Sequence, residues 1–238
     1  MTDAPEVRKQ AAQQEPVRVY VEPHRWALSP WARLYRRLAR RWTVSNHVRH
    51  LCHPFTFVGA ENVEGLQNPI VIIANHTSHF DTAIVLHILP GHIYRRTAIA
   101  AAADRMYRER WKGTWNSLRY NSFPITRGGG RKALAYSQWL IDRGWSLLIF
   151  PEGQRSRTGD LLPFHIGPAI LAISQNAPVL PIHITGARDI LPAGTRRASP
   201  APVTARVGPL LRFPQGTTVD GCKQQMEDAV RSLASNAS

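Results

Sequence analysis

Residues 70–81 read Ile70-Val71-Ile72-Ile73-Ala74-Asn75-His76-Thr77-Ser78-His79-Phe80-Asp81. Five apolar residues run without a break and stop at a string of polar, chemistry-bearing side chains. An unbroken run of this length predicts a strand buried on both faces. The pattern recurs downstream. Trp145–Phe150 (WSLLIF) predicts a second buried strand that ends in Pro151-Glu152-Gly153-Gln154-Arg155-Ser156-Arg157, and Pro178–Ile184 a third that ends at Thr185-Gly186. Helical patterns fall at Ala83–Leu89, at Arg131–Asp142 before Gly144, and at Gly167–Gln175. A short strand is expected over Val203–Val207, after a Pro/Ala/Gly-rich loop at Pro192–Pro202. Met226, Ala229, Val230 and Leu233 mark a closing helix. Buried strands alternating with helices give an α/β domain with a largely parallel central sheet flanked by helices. In such sheets chemistry gathers just beyond the strand ends.

The composition narrows the partner. The chain has 238 residues and a formal charge of +14. Four basic residues are Lys and 26 are Arg, the side chain better suited to a planar, bidentate grip on phosphate or carboxylate. Such a balance points to an anionic partner: nucleic acid, an anionic membrane surface or a phosphorylated small molecule. Two cysteines, Cys52 and Cys222, exclude a disulfide framework and a Cys-rich zinc module, and are expected to be reduced. The opening residues are too polar for a signal-peptide core, and no apolar run approaches the roughly 18–20 residues of a membrane span.

The positive charge concentrates in two segments, both rich in Trp. From Arg25 to Arg49 inclusive there are seven Arg and no acid. Ser29-Pro30 is a helix start, and Trp31, Leu34, Tyr35, Leu38 and Trp42 then fall within an arc of about 100°. Arg33, Arg36, Arg37, Arg40 and Arg41 fill the other side. This predicts a basic amphipathic helix that docks on a membrane through Trp31, Leu34, Tyr35, Leu38 and Trp42, with Arg36, Arg37 and Arg40 meeting anionic headgroups. The alternative is a helix that buries its apolar stripe on the domain and turns Arg to water. The second segment, Met106–Leu118, repeats the theme with Tyr107, Trp111, Trp115 and Leu118 among Arg105, Arg108, Arg110 and Lys112; core packing explains that stripe nearly as well. Residues 1–23 are expected to be a disordered leader, 24–55 the basic helical segment, and 56–238 one catalytic domain.

Four polar clusters sit at strand ends. In the first, His76 is suited to act as a general base, and Asp81, five residues on, can reach back to fix its tautomer. His76, His79 and Asp81 could instead ligate a metal, although companion ligands at standard spacing are lacking. The second cluster is Phe123-Pro124-Ile125-Thr126-Arg127 followed by three glycines, where Arg127 offers a phosphate-shaped fork. The third, Phe150–Arg157, places Glu152, Gly153 and Arg155 where they can hold the hydroxyls and phosphate of a polyol phosphate, with backbone N–H groups near Gly153 available to an oxyanion. The fourth, Leu180-Pro181-Ile182-His183-Ile184-Thr185-Gly186, is mostly strand and would wall a groove.

Taken together, NHTSHFD, FPITR, FPEGQRS and LPIHITG resemble, in order and spacing, the four motif blocks of the glycerol-3-phosphate and 1-acylglycerol-3-phosphate acyltransferase family, over about residues 61–187. Phe164, Gly167 and Ala169 match a further family feature. Gln154 stands where the family has Thr, and His79 is an unusual addition. The resemblance implies transfer of a fatty acyl chain from acyl-CoA or acyl carrier protein to a glycerol hydroxyl, with lysophosphatidate the expected acceptor, another lysolipid or a glycolipid the alternative, and no metal or other cofactor. It makes His76 the base and Asp81 its orienter. Arg127 and Arg155 would bind the acceptor phosphate, Glu152 and Gly153 the glycerol, and Ser78 joins this substrate-binding set. A peripheral position on the cytoplasmic face of the cell membrane is expected. A nucleic-acid binder would leave the four blocks unexplained.

Overall fold

The computed structural model describes residues 21–126, 130–191 and 197–235; the expected leader falls largely, and Arg127 entirely, outside them. After a 3₁₀ turn (Arg25–Leu28), Ser29 Oγ accepts from the N–H of Ala32 and α1 begins on Pro30 (Pro30–Arg40). A π-turn (Arg41–Ser45) joins it to α2 (Asn46–Leu51). There follow β1 (Cys52–Val58), β2 (Val71–Ala74), α3 (Asp81–Ile88), α4 (Gly91–Tyr94), β3 (Thr97–Ala102), α5 (Ala103–Met106), α6 (Arg110–Tyr120), β4 (Ser122–Ile125) and α7 (Gly130–Asp142). The chain ends with β5 (Ser146–Ile149), α8 (Gly167–Ser174), β6 (Val179–Thr185), α9 (Ala187–Ile190), β7 (Ala201–Val207) and α10 (Val219–Ser235).

The strands form one seven-stranded sheet in the order β1-β7-β6-β2-β5-β3-β4. Five run parallel, and only the β6–β7 pair is antiparallel, so β7 and β1 run the other way. The central strands are buried on both faces, as their unbroken apolar runs require. Ile70, Ile72 and Ala74 enter one core with Leu148, Leu180 and Ile182. Val71 and Ile73 enter the other with Leu147, Ile149 and Val179. Helices α2 and α3 close the first core, and α7, α8 and α10 the second.

Three strands lie outside the sequence expectation. The Ala-rich TAIAAA of β3 has helical propensity, which burial between β5 and β4 overrides. The short β4 pairs only with β3. At β1 the boundary moves: the basic helical segment ends at Leu51, not residue 55, because Cys52–Val58 joins the sheet beside β7. That segment is part of the domain, since Val44 and Val48 lie in the first core.

The N-terminal helix is oriented opposite to an ordinary surface helix. Trp31, Leu34, Leu38 and Trp42 are exposed, whereas Ala32 and Arg36 are buried and Tyr35 is half-buried. Arg36, 6% exposed, donates from Nη1 to the carbonyls of Ser117 and Leu118 in α6 and from Nη2 to that of Ala27. Desolvation lowers its pKa to about 10. Arg40 Nη2 donates to the carbonyls of Leu86, His87 and Leu89 at the end of α3, and its guanidinium lies 4.4 Å from the Tyr94 ring centroid. The expectation that Arg36 and Arg40 meet headgroups is therefore corrected: both are spent on internal carbonyls. Arg37 remains exposed.

Candidate active site

The first and third sequence clusters follow β2 and β5, the second and fourth lie on the C-terminal parts of β4 and β6, and all four strands run in the same direction. Three of these strands, β6-β2-β5, are adjacent at the centre of the sheet, so their C-terminal loops converge. The loop after β2 is tied down first. Asn75, buried, donates from Nδ2 to the carbonyl of Ile184 at 2.9 Å and accepts from the Ile184 N–H at 2.7 Å, locking the β2 exit to β6.

His76 is then held from four sides. Its Nδ1 lies 2.8 Å from Asp81 Oδ2. A carboxylate only accepts, so Nδ1 carries a proton, and in the neutral imidazole Nε2 keeps a free lone pair. The backbone N–H of His76 donates to Glu152 Oε1 at 2.7 Å, and its carbonyl accepts from the Ser156 N–H at 2.7 Å. The ring stacks on Phe150, with centroids 4.1 Å apart and planes 21° from parallel. The imidazole is thus held in height and tilt by the segment that follows β5 and in tautomer by the start of α3.

Asp81 shapes the whole loop. It is fully buried at the start of α3, and Oδ2 also accepts from the N–H groups of Thr77 and Ser78, each at 2.7 Å. A carboxylate at a helix start that collects three donors is an anchor as well as an orienter. Its other oxygen, Oδ1, is buried and has no hydrogen-bond partner among the described residues. Ser78 is drawn inward by this arrangement: it is buried, and its Oγ accepts from the N–H of Phe80. The expectation of a substrate-binding Ser78 is corrected to that of a turn former.

Glu152 differs from its expected role in the same way. Its side chain is buried, and its second oxygen accepts from the Leu162 N–H at 3.0 Å. Both carboxylate oxygens therefore bind backbone, one on the His76 loop and one on the segment leading to α8. Desolvation raises its pKa to about 7 against those two hydrogen bonds. It is a clamp behind His76, not a glycerol contact. Gly153, at φ +65°, closes a turn with its N–H on the Phe150 carbonyl, so that particular N–H is already committed.

Arg155 is exposed and near His79; its charge, together with His76, reinforces burial in lowering the His79 pKa. Arg155 and His76 thus both lie close enough to the exposed His79 for their charges to act on it. Arg127 lies outside the described residues. His183, half-buried on β6 across from Arg206, has its pKa lowered to about 4 by desolvation and by that Arg. Gly186 ends the fourth cluster at φ +85°, where a Cβ would stand 2.0 Å from the Pro202 carbonyl oxygen, so only Gly fits. Among the described residues no three His, Cys, Asp or Glu side chains are grouped to hold a metal ion, and no helix is long and apolar enough to cross a membrane. Both cysteines are buried and free.

The arrangement has known counterparts. The family model described as Acyltransferase matches residues 54–185. A 1-acyl-sn-glycerol-3-phosphate acyltransferase of Cocos nucifera is 28% identical over 191 residues, which are 75% of this chain and 58% of that enzyme. One from Limnanthes douglasii is 34% identical over 94 residues, 40% of this chain and 32% of its own length. The chain therefore spans from about a third to under two thirds of these relatives. The crystal structure of the 1-acyl-sn-glycerophosphate acyltransferase PlsC from Thermotoga maritima superposes with a TM-score of 0.64 at 20% identity, covering 87% of this chain and 78% of that one. The fold is shared with it.

Proposed function

This chain belongs to the acyltransferase family, and from that premise we propose that it moves a fatty acyl chain from an acyl thioester to the free hydroxyl of 1-acylglycerol-3-phosphate, giving phosphatidic acid. The observation that carries the reading is the 2.8 Å contact between His76 Nδ1 and Asp81 Oδ2, which in the neutral imidazole leaves Nε2 as the acceptor. In the proposed reaction Nε2 takes the proton of the acceptor hydroxyl as its oxygen attacks the thioester carbonyl. The tetrahedral intermediate collapses with cleavage of the carbon–sulfur bond, and the imidazolium returns the proton to the departing thiolate. The donor is acyl-CoA or acyl carrier protein. No acyl-enzyme is needed, because the thioester is already activated. Asp81 holds the tautomer and stabilises the transient imidazolium.

Arg155, exposed beside His79, and Arg127 are the proposed phosphate ligands. Glu152 acts through the backbone of His76, and stabilisation of the oxyanion falls to donors other than the N–H of Gly153. The exposed stripe of α1 supports a peripheral seat on an anionic membrane, which we place on its cytoplasmic side, where a lysolipid acceptor resides.

Acyl transfer by the purified full chain to lysophosphatidate, with both donor types, tests the reading. His76→Ala should lower turnover by about 10²–10⁴-fold with unchanged circular dichroism. Turnover within a few-fold of the parent would remove His76 from the role of base.

A further inference from the structure

Among the described residues, nine large hydrophobic side chains are exposed, and seven lie on α1 and its π-turn or on α5 and α6: Trp31, Leu34, Leu38, Trp42, Met106, Trp111 and Trp115. The first four were expected from sequence to meet lipid. The last three fall on a segment for which core packing was nearly as good an account, and the structure rejects that account for its tryptophans. Trp111 and Trp115 are 67% and 50% exposed.

Helix α6 is built inside out. Its buried positions are Gly113 and Ser117, the smallest residues available. Tyr107 presses on Gly113 so closely that a Cβ there would stand 2.6 Å from its ring. Ser117 Oγ donates to the Ser122 carbonyl and meets the Tyr107 hydroxyl at 2.9 Å. The two tryptophans, four residues apart, occupy the opposite face. A helix in water reverses this arrangement. α1 shows the same inversion, with Ala32 and Arg36 inward, and Arg36 bonds it to the Ser117 and Leu118 carbonyls of α6. Two inverted helices are therefore fastened to one another.

We propose that α6 is a second membrane-docking element, and that Trp111 and Trp115 enter the same anionic bilayer surface as the α1 stripe. This rests on the peripheral-membrane reading above and adds a second contact to it. Tryptophan is the side chain of the interfacial zone, where its ring is buried and its N–H stays near water. The surrounding charge agrees: Arg105, Arg108, Arg110 and Lys112 flank the pair, with Asp104 and Glu109 the only acids from 103 to 120. A second copy of this chain is the poorer occupant, because self-pairing would set this basic segment against itself. Two contacts joined by a buried Arg define an orientation, which one helix lying on a surface does not.

The test uses the full chain and sedimentation with vesicles of phosphatidylcholine containing phosphatidylglycerol. W111A/W115A should lower the partition coefficient by roughly tenfold or more, since each ring forfeits its apolar burial. W31A/L34A/L38A is the companion that reads α1. Loss in the companion with no loss in W111A/W115A overturns the α6 proposal and leaves the α1 reading standing. No loss in either overturns both. W111F/W115F keeps the apolar rings and guards against misfolding. Brominated acyl chains should quench tryptophan emission more in the parent than in this variant, and equal fractional quenching overturns the proposal. A parent that sediments as a dimer in solution, and that W111A/W115A renders monomeric, also overturns it.

Discussion

At the residue scale, two backbone donors and one imidazole converge on Asp81, while two backbone donors converge on Glu152. The first convergence was legible in the sequence, because a His and an Asp five residues apart across a strand-to-helix turn have few other ways to meet. The second was not. The partners of Glu152 are the N–H groups of residues 76 and 162, and no side-chain pattern advertises a backbone donor. Glu152→Gln tests the clamp. An amide presents only one acceptor, so either His76 or Leu162 loses its partner, and turnover should fall roughly tenfold to a hundredfold through misplacement of His76, the proposed base. The pH dependence has a definite sign. The carboxyl ionises near 7 when folded and near 4.5 when unfolded, so the native state binds the extra proton between those values. Its contribution is complete below about 4.5 and is lost as pH rises through about 7. Over that window the melting temperature of the parent should decline more steeply than that of Glu152→Gln; parallel curves would remove the raised carboxyl from the account.

At the scale of elements, periodicity identified the apolar stripe of α1 but not the direction it faces. A helical wheel fixes which side chains share a side, and packing decides which side turns inward. Here α6 and α3 present carbonyls rather than an apolar groove, so the long donors of Arg36 and Arg40 are drawn in and the tryptophans are left out. Arg36→Met should cost about 2–4 kcal/mol, because it strands buried carbonyls, and lower the melting temperature by roughly 5–15 °C. Arg37→Met, at an exposed position one residue on, should change it by no more than about a degree or two. Equal effects would mean that Arg36 is not a structural tie. The strands divide on similar grounds. β2, β5 and β6 were legible because burial on both faces imposes continuous apolar runs. β3 was not, because alanine carries no strand signature and only the sheet on either side makes it extended.

For the molecule as a whole, the +14 charge separates into cations that hold the fold and cations that meet the surroundings. Arg36 and Arg40 belong to the first group, Arg37 and Arg155 to the second. If the second group attracts the protein to anionic lipid, partition into phosphatidylglycerol-containing vesicles should fall at least about tenfold between 0.1 and 1 M salt, where the screening length shrinks from about 10 to 3 Å. Partition into pure phosphatidylcholine should change far less, because tryptophan burial is not screened. A salt-independent affinity for anionic vesicles would leave the apolar stripes as the sole attraction.

The grip of Arg40 on α3 bears on how this protein can be dissected. α3 starts at Asp81 and ends, eight residues later, at carbonyls that Arg40 satisfies. Excising the N-terminal helix to obtain a lipid-free catalytic fragment would uncap the helix that carries the orienting carboxylate and would empty the carbonyl sites on α6. A shortened chain that lost activity would then report a frayed scaffold, not a missing anchor. Attachment and chemistry are separable in this protein only by point substitutions on the outward face, never by scissors.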